Sequence, residues 1–318
     1  ESRSPAITKS GALYYPLWMI YAAAYSRKCG HEVYFLDAPA KPLNEQQALD
    51  VIAGQAQDGM LFVFGTSTPS IKSDVAFAER VKRMYPSSFI LLVGTHPTAC
   101  AEETMGYSDA IDGIALGEYD EIVRELADTL ERQGDLTGVR GLCLRKGEEC
   151  VRTERMPVMR NLDDIPYASQ FIKEFLDEHD YFFAAATYPS IQIFTGRGCP
   201  FHCNFCVYPQ TMHGHIFRAR SAENVVGEFA YIAAHFPDVK EVVIEDDTFT
   251  VNKKRVMEIC NLLVEKGLHK RLRWLCNARV NLDLETMQAM KKAGCRLIIP
   301  GIESGNQQIL DNIKKGTR

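Results

Sequence analysis

Hydrophobic and polar positions along residues 13–132 fall into two alternating rhythms, one of helical period and one of short apolar runs. The stretch PLWMIYAAAYSRKCG opens on Pro16, suited to a helix start, and closes on Gly30, suited to a helix stop. HEVYFLDA follows as a strand, then MLFVFG as a second strand and IKSDVAFAERVKRMY as a helix. FILLVG and IDGIALG read as further strands, and EYDEIVRELADTLERQG as a helix. Strands that are apolar nearly throughout, set between helices, predict a parallel sheet covered on both faces. The expectation is therefore an α/β, doubly wound, Rossmann-like domain over residues 1–133, opening on a helix with its first strand upstream. Ligands in such sheets sit at the carboxyl ends of strands. Here those ends are GTSTPS at 65–70, GTHPTA at 94–99 and GEYD at 117–120.

The rhythm fades over 134–190, which reads as a short hairpin, a proline-punctuated linker and a helix SQFIKEFLDEHDYF. From 191 to 318 it returns as four βα units in series. Strand IQIFT leads into a cysteine-bearing loop and helix SAENVVGEFAYIAAHF, with Ser221 as N-cap. EVVIED precedes a helix capped by Asn252 and stopped by Gly267, LRWLCNA a helix after Asp283, and RLIIPGI the helix NQQILDNIKKG. Four consecutive βα units predict the first part of a closed or partial (β/α) barrel, with chemistry at the strand C-terminal ends. Its last strands are expected to lie beyond this sequence.

Composition narrows the class. With 46% apolar and 24% charged residues in 318, the chain has the balance of a globular protein and the length for two cores. A net charge of −5 gives no electrostatic argument for a nucleic-acid partner. No apolar run nears the ~18 to 20 residues that span a bilayer, so a cytoplasmic protein is expected. Ten cysteines are too few for a disulfide scaffold, and three cluster within eight residues, which points to metal chemistry in a reducing compartment. Cys29, Cys100, Cys143, Cys150, Cys260, Cys276 and Cys295 are scattered, and most are expected to be buried small apolar residues.

The cluster is Cys199, Cys203 and Cys206, at C-x3-C-x2-C spacing in GRGCPFHCNFCVYPQ. Three thiolates in one loop can hold three irons of a four-iron, four-sulfur cube and leave the fourth open to an outside ligand. A structural zinc wants four protein ligands, and His202, His213 or His215 offers a fourth. A non-catalytic zinc or iron redox module is thus the competing class, distinguished by four protein ligands.

The spacing, with aromatic Phe205 before the last cysteine, resembles the radical S-adenosylmethionine (radical SAM) superfamily. That resemblance implies a [4Fe-4S] cluster whose open iron chelates S-adenosylmethionine. The cluster's electron, supplied by a donor such as flavodoxin or ferredoxin, cleaves the sulfonium to a 5′-deoxyadenosyl radical. It also implies S-adenosylmethionine contacts beyond Phe205. EDDTF offers Glu245, Asp246 and Asp247 to the ammonium group, with helix capping as the plainer role for each. CNARVN offers Asn277 and Arg279 to the ribose or carboxylate, Arg279 having surface pairing with Asp283 as its plainer role. GIESG offers Gly301 and Glu303 near the ribose and adenine, with Gly305 beside them.

The amino-terminal half is similar to the cobalamin-binding domain fused to such barrels. The resemblance implies cobalamin contacts at Thr66, Ser67, Thr68, Gly94, Thr95, His96, Gly117 and Glu118. No Asp-x-His-x-x-Gly loop is present to ligate cobalt from below. CVYPQTMHGHIFRARSAENVV is similar to the branch containing anaerobic tetrapyrrole cyclases, hopanoid-associated enzymes and radical methyltransferases. Tyr208, Gln210, His213, His215, Arg218 and Arg220 are candidates to face a small-molecule substrate at the barrel mouth. The implied reaction is methylation of an unactivated carbon, with oxidative cyclisation or rearrangement by the same cofactors as the alternative. Methylthiotransferases carry a further cysteine triad in the first domain, which Cys29 and Cys100 do not supply.

Overall fold

The computed structural model describes residues 11–147 and 149–317. These divide into two compact units, one of 18–159 with 210–212, the other of 11–17, 160–209 and 213 onward. The division after residue 159 falls inside the linker expected at 134–190.

The first unit runs α1 (Leu17–Lys28), α2 (Glu45–Ala53), β1 (Leu61–Gly65), α3 (Ile71–Met84), β2 (Phe89–Val93), α4 (Thr95–Ala99), α5 (Ala101–Met105), β3 (Gly113–Ala115), α6 (Asp120–Glu131), β4 (Leu142–Lys146) and β5 (Glu149–Arg152). Its sheet has the order β1-β2-β3-β4-β5. The first three strands are parallel, as expected, and β4 and β5 add to them antiparallel. The hairpin assigned to a linker is therefore part of the sheet. Helix α3 shows why the unit coheres: Ile71, Val75, Ala78 and Val81 recur on one helical face and pack with Ile90, Leu92 and Ile114. Full burial of each large apolar side chain contributes roughly 1.5–3 kcal/mol.

Three expectations fail here. Among the described residues HEVYFLDA joins no strand of the sheet, and residues 31–37 alternate between exposed and half-buried. Their period-2 pattern is that of a half-solvated extended segment. Cys143 and Cys150, expected as small apolar fillers, form a disulfide. Cys143 stands opposite Arg152 and Cys150 opposite Arg145, so the two are diagonal neighbours on one face of the hairpin, with Cα atoms 5.9 Å apart. Finally, the GTHPTA loop winds into α4, followed by α5.

The second unit runs α7 (Ala168–Phe175), β6 (Ser190–Ile193), β7 (Gly196–Arg197), β8 (Arg218–Ala219), α8 (Ala222–His235), β9 (Glu241–Ile244), α9 (Lys253–Glu265), β10 (Arg273–Arg279), α10 (Leu284–Lys292), β11 (Cys295–Gly301) and α11 (Gln307–Asn312). Strands β6, β9, β10 and β11 lie side by side in chain order and all parallel, the arc of a partial barrel. The caps read from sequence are present: Ser221, Asn252 and Asp283 accept the backbone N–H three residues on. No helix among the described residues is long and apolar enough to cross a membrane.

Buried charge ties the arc together. Arg220 pairs with Glu228 at 2.5 Å, and the Glu228 carboxylate also accepts the Ser169 N–H and hydroxyl at 3.0 Å. Arg255 donates to the Thr195 and Arg220 carbonyls at 2.6 and 2.8 Å. These bonds offset much of the desolvation of Arg220, Glu228 and Arg255, although Arg255 Nη1 is buried without a partner among the described residues.

Candidate functional site

The cysteine loop is fixed at both ends. Beyond β6 the chain pairs as β7 with β8, so residues 198–217 form a loop closed by a two-stranded antiparallel ribbon. Gly198 enters that loop at φ +90°, and a Cβ there would collide with the Ile216 carbonyl. Cys199, Cys203 and Cys206 are half-buried, with Phe205 exposed beside them. The Cys199 thiol lies 3.8 Å from the Thr248 hydroxyl, at the end of the segment that follows β9. Burial pushes the Cys206 thiol up, with the charges of Asp247, Cys199 and Cys203 adding to it. A bound cation reverses that balance, since thiolates are the form that ligates metal.

Three thiols in one loop are the donor set of an iron–sulfur cube in which each cysteine holds a separate iron, whereas a structural zinc wants four protein ligands. Among the described residues, Asp177, Glu178 and His179 form a further group whose ligand atoms all lie within 4.8 Å of one another.

The three carboxylates of EDDTF part company. Asp246 is wholly buried and satisfied: it accepts the Thr195 N–H at 2.6 Å, the Thr195 hydroxyl at 2.5 Å and the Gly196 N–H. Burial raises its carboxyl above the ordinary range, and Arg255 and these donors oppose the rise. It locks β6 to β9 and is withdrawn from the ammonium role expected of it. Glu245 accepts from Gln192 at 3.4 Å. Asp247 lies 2.9 Å from His213 Nε2.

His213 is fully buried, its Nδ1 bonded to the Gly214 carbonyl at 2.8 Å. It supports the loop from below instead of facing substrate. Arg220 is likewise corrected, committed to Glu228, Asn224 and the Phe194 carbonyl. Arg218 is buried within β8. His215 remains exposed at the loop, its ring tilted against that of His202 and bonded to the Phe201 carbonyl. Gln210 groups with the first unit, and Tyr208 precedes the turn at 209–213.

At the ends of β10 and β11, Asn277 donates to the Asp246 carbonyl at 3.3 Å, which orients it from within. Arg279 is buried, its guanidinium 3.6 Å above the Phe201 ring, and it is not the surface partner of Asp283. Asp283 pairs with Lys253 at 3.1 Å. Glu303 receives the Lys315 ammonium at 2.7 Å. Sequence reasoning missed Lys315, Thr195 and Thr248. Nothing local marks Lys315, whereas a Thr-Gly ending a barrel strand just before the cysteines was a readable sign.

The strand ends of the first unit assemble separately. Gly94 has φ +123°, and a Cβ there would strike the Thr66 carbonyl, so the ends of β1 and β2 touch through it. Ser67 bonds Ser70 at 3.0 Å and Thr68 bonds His96 Nδ1 at 3.2 Å, which uses those groups internally. Thr98 bridges the Ala115 carbonyl and the Gly117 N–H at 3.2 and 3.3 Å and was not foreseen. Thr95 opens α4, and Glu118 is buried after β3. Burial raises the Asp74 carboxyl beside them. The Thr66 hydroxyl and His96 Nε2 are buried without a well-aligned hydrogen-bond partner. Polar atoms at two adjoining strand ends, the Thr66 hydroxyl beside Asp74 and His96 Nε2, fit a flat cofactor edge carrying amide side chains.

Known families match over both parts of the chain. Residues 3–127 match the family described as B12 binding domain, and 193–318 match Radical SAM superfamily. An uncharacterized methyltransferase of Pyrococcus horikoshii is 32% identical over 95% of this chain and 63% of its own length. An anaerobic magnesium-protoporphyrin IX monomethyl ester cyclase of Cereibacter sphaeroides is 26% identical over 95% of this chain and 49% of its own. The chain thus spans roughly half to two-thirds of these relatives. The structure of OxsB with aqua-cobalamin and S-adenosylmethionine bound superposes with a TM-score of 0.78 at 18% identity, over 96% of this chain and 44% of that one. The chain thus carries a match to a B12-binding domain followed by a match to the radical SAM superfamily.

Proposed function

We propose that the protein is a cobalamin-dependent radical SAM enzyme that methylates an unactivated carbon of a small molecule. The observation that carries this is the ribbon-closed loop presenting Cys199, Cys203 and Cys206 half-buried beside Thr248. When bound, the cluster and S-adenosylmethionine supply a 5′-deoxyadenosyl radical, and cobalamin supplies a methyl group. The protein's own residues hold and orient these groups. The three thiolates take three irons, and Glu245 and Asp247 complement an ammonium group. Arg279 offers its buried fork to a carboxylate, and Glu303 offers its carboxylate to ribose hydroxyls. In the other unit, Thr66, Gly94, His96 and Gly117 line the cobalamin edge. The electron comes from a flavodoxin- or ferredoxin-type donor in the cytoplasm.

The similarity to a methyltransferase supports methyl transfer, and the cyclase relative favours a second reading in which the same cofactors close a ring. Anaerobic reconstitution with iron, sulfide and hydroxocobalamin, then reduction with S-adenosylmethionine and candidate substrates, separates them. Methylation yields S-adenosylhomocysteine, 5′-deoxyadenosine and a product heavier by one methylene. A lighter or isomeric product without S-adenosylhomocysteine selects the second reading, and absence of 5′-deoxyadenosine overturns both.

A further inference from the structure

Residues 313–317 return across the ends of β10 and β11 and are pinned there. The Asn204 N–H, within the cysteine loop, donates to the Ile313 carbonyl at 3.1 Å, and Gln307 donates to the Thr317 carbonyl at 3.0 Å. This brings Lys315 inside, with only 6% of its surface exposed. A lysine is almost never so buried unless its charge is paired, and here the partner is Glu303 Oε1 at 2.7 Å. The Lys315 carbonyl accepts from Arg279 Nη2. One residue therefore grips two side chains from different strand ends.

Both gripped residues need holding. Glu303 sits at φ +60°, a left-handed conformation that is unfavourable for a residue with a side chain. Gly301 leaves the space: a Cβ there would stand 2.8 Å from the Lys315 nitrogen and 3.0 Å from Glu303 Oε1. Its lack of a side chain thus serves the ammonium group. Arg279 is clamped between the Phe201 ring and the Lys315 carbonyl. Yet binding capacity remains. Arg279 Nε and the Thr317 hydroxyl are buried without a partner among the described residues, and the hydrogen bond described for Glu303 uses only Oε1. Buried polar atoms left unspent in a folded protein call for a ligand or water.

We propose that Lys315 is a positioning residue for S-adenosylmethionine, its ammonium group fixing Glu303 and its carbonyl fixing Arg279 in the orientations that meet the ligand. This rests on the functional reading above. The test is the dissociation constant of S-adenosylmethionine, read from the change it causes in the electron paramagnetic resonance spectrum of the reduced cluster. It is measured for wild type, K315M, E303Q and the double variant, with cluster absorbance and thermal midpoint recorded for each. K315M is expected to bind about tenfold more weakly than wild type, the loss of one charge-assisted bond, and to cost less than about threefold in the E303Q background. Lys315→Arg, which keeps the charge, is expected to stay within about threefold of wild type. Equal binding by K315M and wild type overturns the inference alone, as does the same loss in both backgrounds or a tenfold loss in Lys315→Arg. Failure of wild type to bind S-adenosylmethionine overturns the functional reading and the inference together.

Discussion

Two positions of the barrel domain separate what a motif displays from what the fold requires. Gly198 precedes the first cysteine at φ +90°, and its missing Cβ makes room for the Ile216 carbonyl. Gly198→Ala is expected to cost the protein most of its retained iron after reconstitution, measured by iron assay, while far-ultraviolet circular dichroism stays unchanged. Asp246 reads like a ligand residue but holds Thr195 from inside. Asp246→Asn sets an amide group against a backbone donor and is expected to lower stability by about 2–4 kcal/mol, measured by urea denaturation. The cysteine triad was legible because its chemistry depends on local spacing alone. The roles of Asp246, Arg220 and His213 were not, because burial decides them and burial is set by partners distant in the chain. Lys315 was invisible for the same reason, its partner Arg279 lying 36 positions away.

Among elements, the pattern was most readable where one face is buried against a sheet. Helices α3, α6, α8, α9 and α10 carry apolar residues at helical spacing and were all expected, most with their caps. The failures are elements whose identity depends on a neighbour. HEVYFLDA has strand alternation yet pairs with no strand among the described residues, and the β4–β5 hairpin looked like a linker until β3 offered it an edge. Helix α2 was missed although Asn44 and Gln47 form a capping box in front of it. Helix α5 and β5 are joined by Arg152, whose two nitrogens meet both oxygens of Glu102 at 2.6 and 2.9 Å. The Arg152 guanidinium holds the Glu102 carboxyl down at about 2, from 4.5. A depressed carboxyl contributes stability above its unfolded value, lost as pH falls from 4.5 towards 2. Because the pair is exposed, solvent screening limits it to under about 1 kcal/mol. Glu102→Gln is expected to unfold slightly earlier in urea than wild type at neutral pH, with the difference closing as pH falls through that window.

At the scale of the molecule, each candidate site has supports within its own unit. The thiol loop draws its support from β6 to β9 and the ribbon of β7 and β8, and each bond named for it lies within the second unit. The unspent groups at Thr66 and His96 are framed by β1, β2, α4 and the turn after β3, all in the first unit. With each cofactor assigned to one unit, retention of one cofactor is expected not to depend on the other. Replacing Cys199, Cys203 and Cys206 together by alanine should abolish bound iron and leave cobalamin near wild-type stoichiometry after a sizing column. Thr66→Val with His96→Leu should do the reverse, since apolar replacements of similar bulk keep the packing and remove the hydrogen-bonding atoms. The readouts are iron content and the visible spectrum of the retained cobalamin. Joint loss in the cysteine variant would show that cobalamin retention draws on the cluster loop, and the strand ends of the first unit would then be only part of its site.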